Sequence, residues 1–363
     1  MDLSYWLMLL KAPGLGLQTL YKALKFFENP EKIFLASKTE LKECKLFDKK
    51  TIDFLKNPDF DLIKQDIDWS KKDYCHIITL IDEKYPEQLK KIYDPPPLLY
   101  VRGDLDCISL PQIAIIGSRN PSPSGSKNAY EFAKLLSKSG LAITSGMASG
   151  IDSNAHIGAL KANCPTIAVC GTGLDRIYPA RNKSLAHEIV SKGALVSEFT
   201  IGTPPLAKNF PKRNRVISGL SIGTLVVEAG LKSGTMITAK SAMEQGREVF
   251  AIPSSIHNPM SKGCHKLIKQ GAKLVDNITD IIEELNINLD PNISQHKQSK
   301  KDINKNVDYD HNLVLKYIGY EAVTVDEIVE KSGLSPQIIN QTLIFLELDD
   351  KIIKINGNGY LLK

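Results

Sequence analysis

The chain is poor in the features that announce several large protein classes. Its six cysteines, Cys44, Cys75, Cys107, Cys164, Cys170 and Cys264, are scattered, with no Cys-x-x-Cys and no histidine pair at ligand spacing. Neither a disulfide framework nor a zinc site is therefore expected, and the thiols are expected to be reduced and mostly buried. No apolar run approaches the ~20 residues that span a bilayer. The opening residues, MDLSYWLMLLKAPGLG, hold a short apolar stretch, but Asp2 stands where a signal peptide wants Lys or Arg, and no small-residue cleavage site follows. A cytoplasmic protein is expected. Gly-x-Gly-x-x-Gly and Gly-x4-Gly-Lys-Ser/Thr are both absent, which removes the usual sequence support for dinucleotide enzymes and P-loop NTPases. No metal and no cofactor is expected.

Net charge is also small, +5 from 46 basic and 41 acidic residues, so its distribution matters more than its total. From Thr200 to Phe250 seven cations face three acids, a local +4, whereas residues 308–363 carry nine acids against five lysines, a local −4. The basic field lies in the middle of the chain, where a polyanionic partner is best placed.

A length of 363 residues exceeds one ordinary core and suits one large domain with smaller ones attached. Residues 1–85 read as short helices, with apolar spacing in SYWLMLL, LQTLYKALKFF, PEKIFLAS and KKTIDFLK. Pro-Gly-Leu-Gly sits between the first two, as in a helix-hairpin-helix, where a glycine turn offers backbone N–H groups to phosphate; a plain tight turn gives the same pattern. From Gln112 the runs QIAIIG, LAITSG, TIAVCG, ALVSEF, GTLVVEA, EVFAIP and AKLVD alternate with helix-length stretches. Strands apolar on both faces predict a mostly parallel, doubly wound α/β sheet over residues 86–285, with ligands at its carboxyl edge. Residues 286–307 are polar and aperiodic, a predicted linker. Residues 308–363 then predict three helices and a hairpin turning on Asn356-Gly357-Asn358-Gly359, a winged helix.

Several stretches bear on chemistry. In IAIIGSRNPSPSG, Gly117, Ser118 and Arg119 fall between a strand and a helix start, a place suited to phosphate. Asp152 and His156, one helical turn apart, have the spacing of an acid/base pair, but no nucleophile stands near and a capping role for Asp152 is favoured. Asp175, Tyr178, Pro179 and Asn182 form a polar loop expected to shape a rim. In KNFPKRNRVISGLS, Lys208, Lys212, Arg213 and Arg215 surround Phe210. A solvated face has no use for an exposed aromatic, whereas a single strand offers phosphates to the cations and open bases to the ring. A core-facing Phe210 is the alternative.

Together IIGSRNPSPSG, SGMASGIDSNAHIGAL, GTGLDRIYPARN, NFPKRNRVISGLS and SGTMITAKSAMEQGREVFAIP resemble the DNA-processing protein A family, also called Smf, and YPEQLKKIYDPPPLLYVRGDL resembles the start of its Rossmann-like domain. The resemblance implies a non-enzymatic protein of natural transformation. It would bind and protect incoming single-stranded DNA, form a homodimer and help load RecA recombinase. It also implies a helical, SAM-like amino-terminal domain. Carried over by motif, Gly117, Ser118, Arg119, Lys208, Phe210, Arg213, Asn214, Arg215 and Lys240 are the expected DNA-binding residues, and none is expected to be catalytic. The acidic tail is poorly charged for a duplex, so a protein contact is expected of it. A homodimer is expected through residues 262–275, where Leu267 and Ile268 are apolar beside His265. The rival reading is a nucleotide phosphoribohydrolase of the lysine-decarboxylase-like family. GLSIGTLVVEAG loosely matches its Gly-Gly-x-Gly-Thr-x-x-Glu motif, although Glu228 falls one residue late and Leu220-Ser221 replaces the paired glycines.

Overall fold

The protein is described as a computed structural model covering residues 3–286, 314–315, 317–318, 323–348, 351–355 and 359–362. It divides into two compact units, residues 1–295 and 296–363. The predicted linker lies outside the described residues apart from Asn286, as does most of the predicted Asn-Gly-Asn-Gly turn.

The first unit opens with helices α1 to α6, at Leu3–Lys11, Leu17–Phe27, Pro30–Leu35, Lys38–Glu43, Lys49–Lys56 and Lys64–Ser70. Local chemistry sets their starts. The Asn29 side chain accepts from Lys32 N at α3, Ser37 and Glu40 form a reciprocal capping box at α4, and the Asp48 side chain accepts from Thr51 N at α5. The Pro-Gly-Leu-Gly turn is packed rather than open: Thr51 donates to Pro13 O at 2.7 Å, and the Asp48 carboxylate lies against Gly14, where it would repel a phosphate.

The sheet has nine strands: β1 Cys75–Thr79, β2 Leu98–Gly103, β3 Gln112–Ile116, β4 Ala142–Ser145, β5 Thr166–Val169, β6 Ala194–Ser197, β7 Gly223–Val226, β8 Glu248–Ala251 and β9 Lys273–Leu274. Their order is β1-β2-β6-β5-β4-β3-β7-β8-β9. Pairings from β6 through β9 are parallel, while β2 is antiparallel to both β1 and β6. The seven expected strands are present. Residues 1–85, read as short helices, also contain β1, which lies before the expected boundary and continues the sheet at its edge.

Helices cover both faces: α7 Glu87–Lys90, α8 Pro123–Lys138, α9 Ile151–Lys161, α10 Lys183–Lys192, α11 Asn209–Leu220, α12 Gly234–Glu244, α13 Lys262–Lys269 and α14 Thr279–Glu284. The period-2 alternation of β3 shows why. Ile113 and Ile115 belong to the cluster with Ala129, Phe132 and Ile151 of α8 and α9, while Ala114 and Ile116 belong to the cluster with Val216, Ala239 and Leu267 of α11, α12 and α13. The chain runs outward from β3 to β6 and then returns to place β7 beside β3. The crevice at the carboxyl ends of β3 and β7 is the topological switch point, where such sheets bind ligands.

The amino-terminal helices share their core with this sheet: Trp6, Leu7, Ile33 and Trp69 belong to one apolar cluster with Tyr100, Met147 and Ala168. Asp66, 1% exposed, ties the same junction together. Its carboxylate accepts from Tyr100 Oη at 2.7 Å and from Ile201 N at 2.9 Å, with Lys11 Nζ at 3.5 Å.

In the second unit, α15 (Val325–Ser332) and α16 (Pro336–Leu348) pack with a small antiparallel sheet of β10 (Val323–Thr324), β11 (Ile352–Ile355) and β12 (Gly359–Leu362). Val314, Ile328, Ile339, Leu343, Ile352 and Tyr360 form its core. This is the expected winged helix.

Asp66→Ala leaves the Tyr100 hydroxyl and the Ile201 amide without their buried acceptor, so a loss of about 1–3 kcal/mol is expected in urea unfolding. A change within experimental error would show that this carboxylate is not what joins the helices to the sheet.

Candidate nucleic-acid interface

A pocket of about 720 Å³ opens at the switch point, lined among others by Gly117, Arg119, Tyr178, Phe210, Arg213 and Thr235. Its floor is the buried guanidinium of Arg213, 5% exposed, which donates to Gly146 O at 2.6 Å and to Val169 O. One side chain thus clamps the carboxyl ends of β4 and β5. The clamp requires Gly146, because a β-carbon there would lie 2.8 Å from both Arg213 Nη2 and Asp152 Oδ2.

Asp152 is also buried and accepts from the Gly146 and Ala148 amides, each at 3.2 Å. Burial raises its pKa above the ordinary carboxyl range, opposed by the charge of Arg213 and by those amides. The same burial lowers the pKa of Arg213. His156 is fully buried and shares a 2.7 Å hydrogen bond between Nδ1 and Thr166 Oγ1. The Thr166 hydroxyl already donates to Ile143 O at 2.6 Å, so Nδ1 carries the proton. Burial, with Arg213 adding to it, depresses the His156 pKa to about 3. Asp152 and His156 are thus buried and hydrogen-bonded within the fold, but the expected capping role of Asp152 is corrected: its carboxylate takes two amides that precede α9, which has no side-chain cap.

Phe210 is half-buried, its ring 5.9 Å from the Arg213 guanidinium carbon. It lies over Gly171, where a β-carbon would come within 2.9 Å of Phe210 Cδ1. Lys208 and Arg119 are exposed, and neither has a carboxylate within 4.0 Å among the described residues. Ser118 is buried and shapes the turn: its hydroxyl accepts from Asn120 N at 3.1 Å and its carbonyl from Ile151 N at 3.1 Å. Gly117 O accepts from Thr235 Oγ1 at 3.0 Å, which ties the β3 loop to the start of α12. Asn214, also buried, bridges Arg213 Nε and Gly234 O.

Other expected site residues are placed differently. Arg213 faces inward and Arg215 is 8% exposed, engaged with Glu198 and the Asp94 carbonyl. Lys212 also reaches Glu198, at 3.6 Å. Of the four cations expected to face a polyanion, Lys208 alone is both exposed and free of such a partner. Lys240 stands outside the pocket, paired with Glu244 at 3.4 Å. Leu267 is 2% exposed and packs on the sheet, with Ile268 partly buried against the same cluster, so these two do not form the expected free strip; His265 bonds to Ser254 O at 2.9 Å. Glu228, the rival reading's catalytic group, is 3% exposed and accepts from Ser122 N at 2.9 Å and from the Ser122 hydroxyl. Its carboxylate occupies the amino end of α8, where a Rossmann-type enzyme seats a ligand phosphate. Tyr178, read as a rim residue, instead meets Phe210 with ring centroids 5.5 Å apart.

A doubly wound sheet whose switch-point pocket sets the exposed Arg119 and the Phe210 ring on one lining, with buried acids and an imidazole held inside the fold, defines a protein of Rossmann-like fold. The chain belongs to the DNA recombination-mediator protein A family: residues 76–286 match that family's model, and residues 298–358 match the DprA winged helix domain. It is 43% identical over 303 residues to Protein Smf of Escherichia coli (strain K12), covering 82% of this chain and 80% of that one. The X-ray structure of DNA processing protein A from Streptococcus pneumoniae superposes with a TM-score of 0.69 at 37% identity, covering 78% of this chain and 99% of that one. A structure of DNA processing protein A from Helicobacter pylori, concerned with its single-stranded DNA binding mode, superposes with a TM-score of 0.53 at 33% identity, over 58% of this chain and 95% of that one.

The buried imidazole gives a pH signature. Because the folded pKa of His156 is about 3 against 6.5 ordinarily, the unfolded chain takes up a proton below pH 6.5 that the fold does not. Stability is therefore full above pH 6.5 and falls as the pH drops toward 3, by about 2 kcal/mol at pH 5. Urea midpoints at pH 7 and pH 5 should separate by that amount, and the His156→Gln variant should lose this contribution; an unchanged slope in the variant would assign the effect to other groups.

Proposed function

We propose that this chain binds single-stranded DNA along the carboxyl edge of its parallel sheet, in the DNA processing of natural transformation. The carrying observation is the half-buried Phe210 ring lining one pocket with Arg119, an exposed cation without a carboxylate partner among the described residues, with a second such cation, Lys208, two residues before the ring. Cations take phosphates of either strand form, but a ring stacks only on an unpaired base. The Helicobacter pylori relative, with its single-stranded DNA binding mode, supports the reading.

Binding without catalysis is the better-supported role. Asp152 and His156 are held within the framework, and the Glu228 carboxylate is bonded to Ser122. Family membership further motivates two proposals, a homodimer and the loading of RecA recombinase. Within residues 262–275 the exposed apolar side chain is Leu274, 47% exposed on the edge strand β9, so a dimer through this stretch would use Leu274 rather than Leu267. A strictly monomeric species in sedimentation at micromolar concentration would end the dimer proposal.

Equilibrium binding across a salt series tests the main reading. Arg119→Ala and Lys208→Ala should each weaken single-strand binding and reduce the slope of log affinity against log salt by about 0.7 for each phosphate no longer neutralised. Melting temperature should hold, since both side chains are exposed. Phe210→Ala should cost about 1–3 kcal/mol of binding. Equal affinity for duplex, or a flat salt response, would contradict the interface.

Removing residues 308–363 should leave most of the single-strand affinity, because that segment carries net −4 and the cations of the pocket lie in the first unit. A large loss in a truncated chain that still melts cooperatively would assign the winged helix a direct part in binding.

A further inference from the structure

Two stretches of the chain share one six-residue pattern, aromatic-Pro-x-Arg-Asn-basic: Tyr178 to Lys183 reads YPARNK and Phe210 to Arg215 reads FPKRNR. Their local structures differ. The first crosses a single helical turn, Ala180–Asn182, into α10, whereas the second forms the start of α11. The fold nevertheless brings their aromatic residues together on one pocket wall, with ring centroids 5.5 Å apart and planes inclined at 45°.

The asparagine of each copy is an anchor. Asn182 Nδ2 donates to Met147 O at 2.8 Å and to Ser153 Oγ at 3.0 Å, and Asn214 Nδ2 donates to Gly234 O at 3.4 Å. On the other side of Tyr178, Ile177 packs against the apolar core, so the backbone is fixed at both flanks. The ring itself is 48% exposed, and its hydroxyl has no hydrogen-bond partner among the described residues. Neither burial nor a polar contact accounts for a large aromatic held at this position. The arginines diverge: Arg213 is buried as the clamp, while Arg181 and Lys183 are exposed and neither has a carboxylate partner among the described residues. The second copy supplies the frame, and the first adds solvent-facing charge to the same edge.

We propose that Tyr178 is a second base-stacking residue, forming with Phe210 a two-ring step on which two unpaired bases of one strand rest. The proposal rests on the single-strand reading above and specifies how its ligand is held. A base cannot lie between the rings, because a sandwich needs two stacking intervals, about 7 Å in all, and the centroids are 5.5 Å apart. Each base must take the free face of its own ring, and two anchored rings engage two bases without ordering a loop on binding.

The test uses the full chain and two labelled oligothymidylate strands, one complete and one with abasic sugar-phosphates at its centre, followed by fluorescence anisotropy. Tyr178→Leu keeps bulk without a ring, and Tyr178→Phe keeps the ring without the hydroxyl. On the complete strand the Leu variant should bind about 5- to 150-fold more weakly than the Phe variant, the range that one base stack supplies. On the abasic strand the two should bind alike. Equal binding of the complete strand would overturn the Tyr178 assignment while the single-strand reading stands, and an equal loss on both strands would overturn it as an effect of loop geometry. If the wild-type chain shows no preference for single strands, both readings fall. Photocross-linking of a 5-iodouracil strand to the wild-type chain gives a readout that needs no variant: an adduct at Tyr178 supports the proposal, and adducts confined to other residues overturn it.

Discussion

The site depends on a cation that does not touch solvent. Arg213 places its guanidinium across the ends of β4 and β5, holding Gly146 O and Val169 O to one donor group beneath the Phe210 ring. Desolvating a guanidinium is costly unless its donors are satisfied, and here backbone carbonyls and Asn214 satisfy them. Two neighbouring strand ends, the Gly146 turn and the aromatic platform are thereby set relative to one another by one side chain. The exposed cations of the proposed interface, Arg119 and Lys208, stand on loops beside that frame.

The other charges of α11 do comparable structural work at the opposite end of the segment. Arg215 and Lys212 converge on Glu198, whose pKa burial raises and these two cations pull back down. Asp66 then secures Ile201, and Asp175 secures Gly202 at 2.9 Å. The chain between β6 and α11 is therefore anchored at three successive points before it delivers Lys208 and Phe210. The amino-terminal helices are joined to the segment that carries Lys208 and Phe210 through this strap.

Much of this was legible in the sequence because it is local. Seven strands showed as doubly apolar runs, and Arg119, Lys208 and Phe210 showed as the residues following a strand or opening a helix. The strands β1 and β2 were hidden because CHIIT and LLYVRG lie amid prolines and charged helices, and their antiparallel pairing leaves no βαβ spacing. Arg213 and Arg215 misled for another reason. Two positions apart on a helix they face nearly opposite ways, and α11 is covered on both sides, so each found a buried acceptor that linear charge counting does not register. Lys240 and Leu267 were placed by motif and by apolarity, neither of which specifies which side of a helix meets the pocket. Tyr178 was read only as part of a rim, and its kinship with Phe210 shows when YPARNK is compared with FPKRNR.

Glu228 bears on what this fold has given up. In doubly wound sheets the first helix after the central strand ordinarily offers its free amide groups to a soluble ligand. Here the residue that caps the helix, Ser122, gives its amide and hydroxyl to a carboxylate of the protein itself, delivered from just beyond β7, while its hydroxyl accepts from Gly125 N. A phosphate approaching that helix end would meet a negative charge already in place, which sets the position against a free mononucleotide. Under the proposed reading, grip at this edge is assembled from several shallow contacts in parallel, an arrangement that rewards a long polymer over its own monomers.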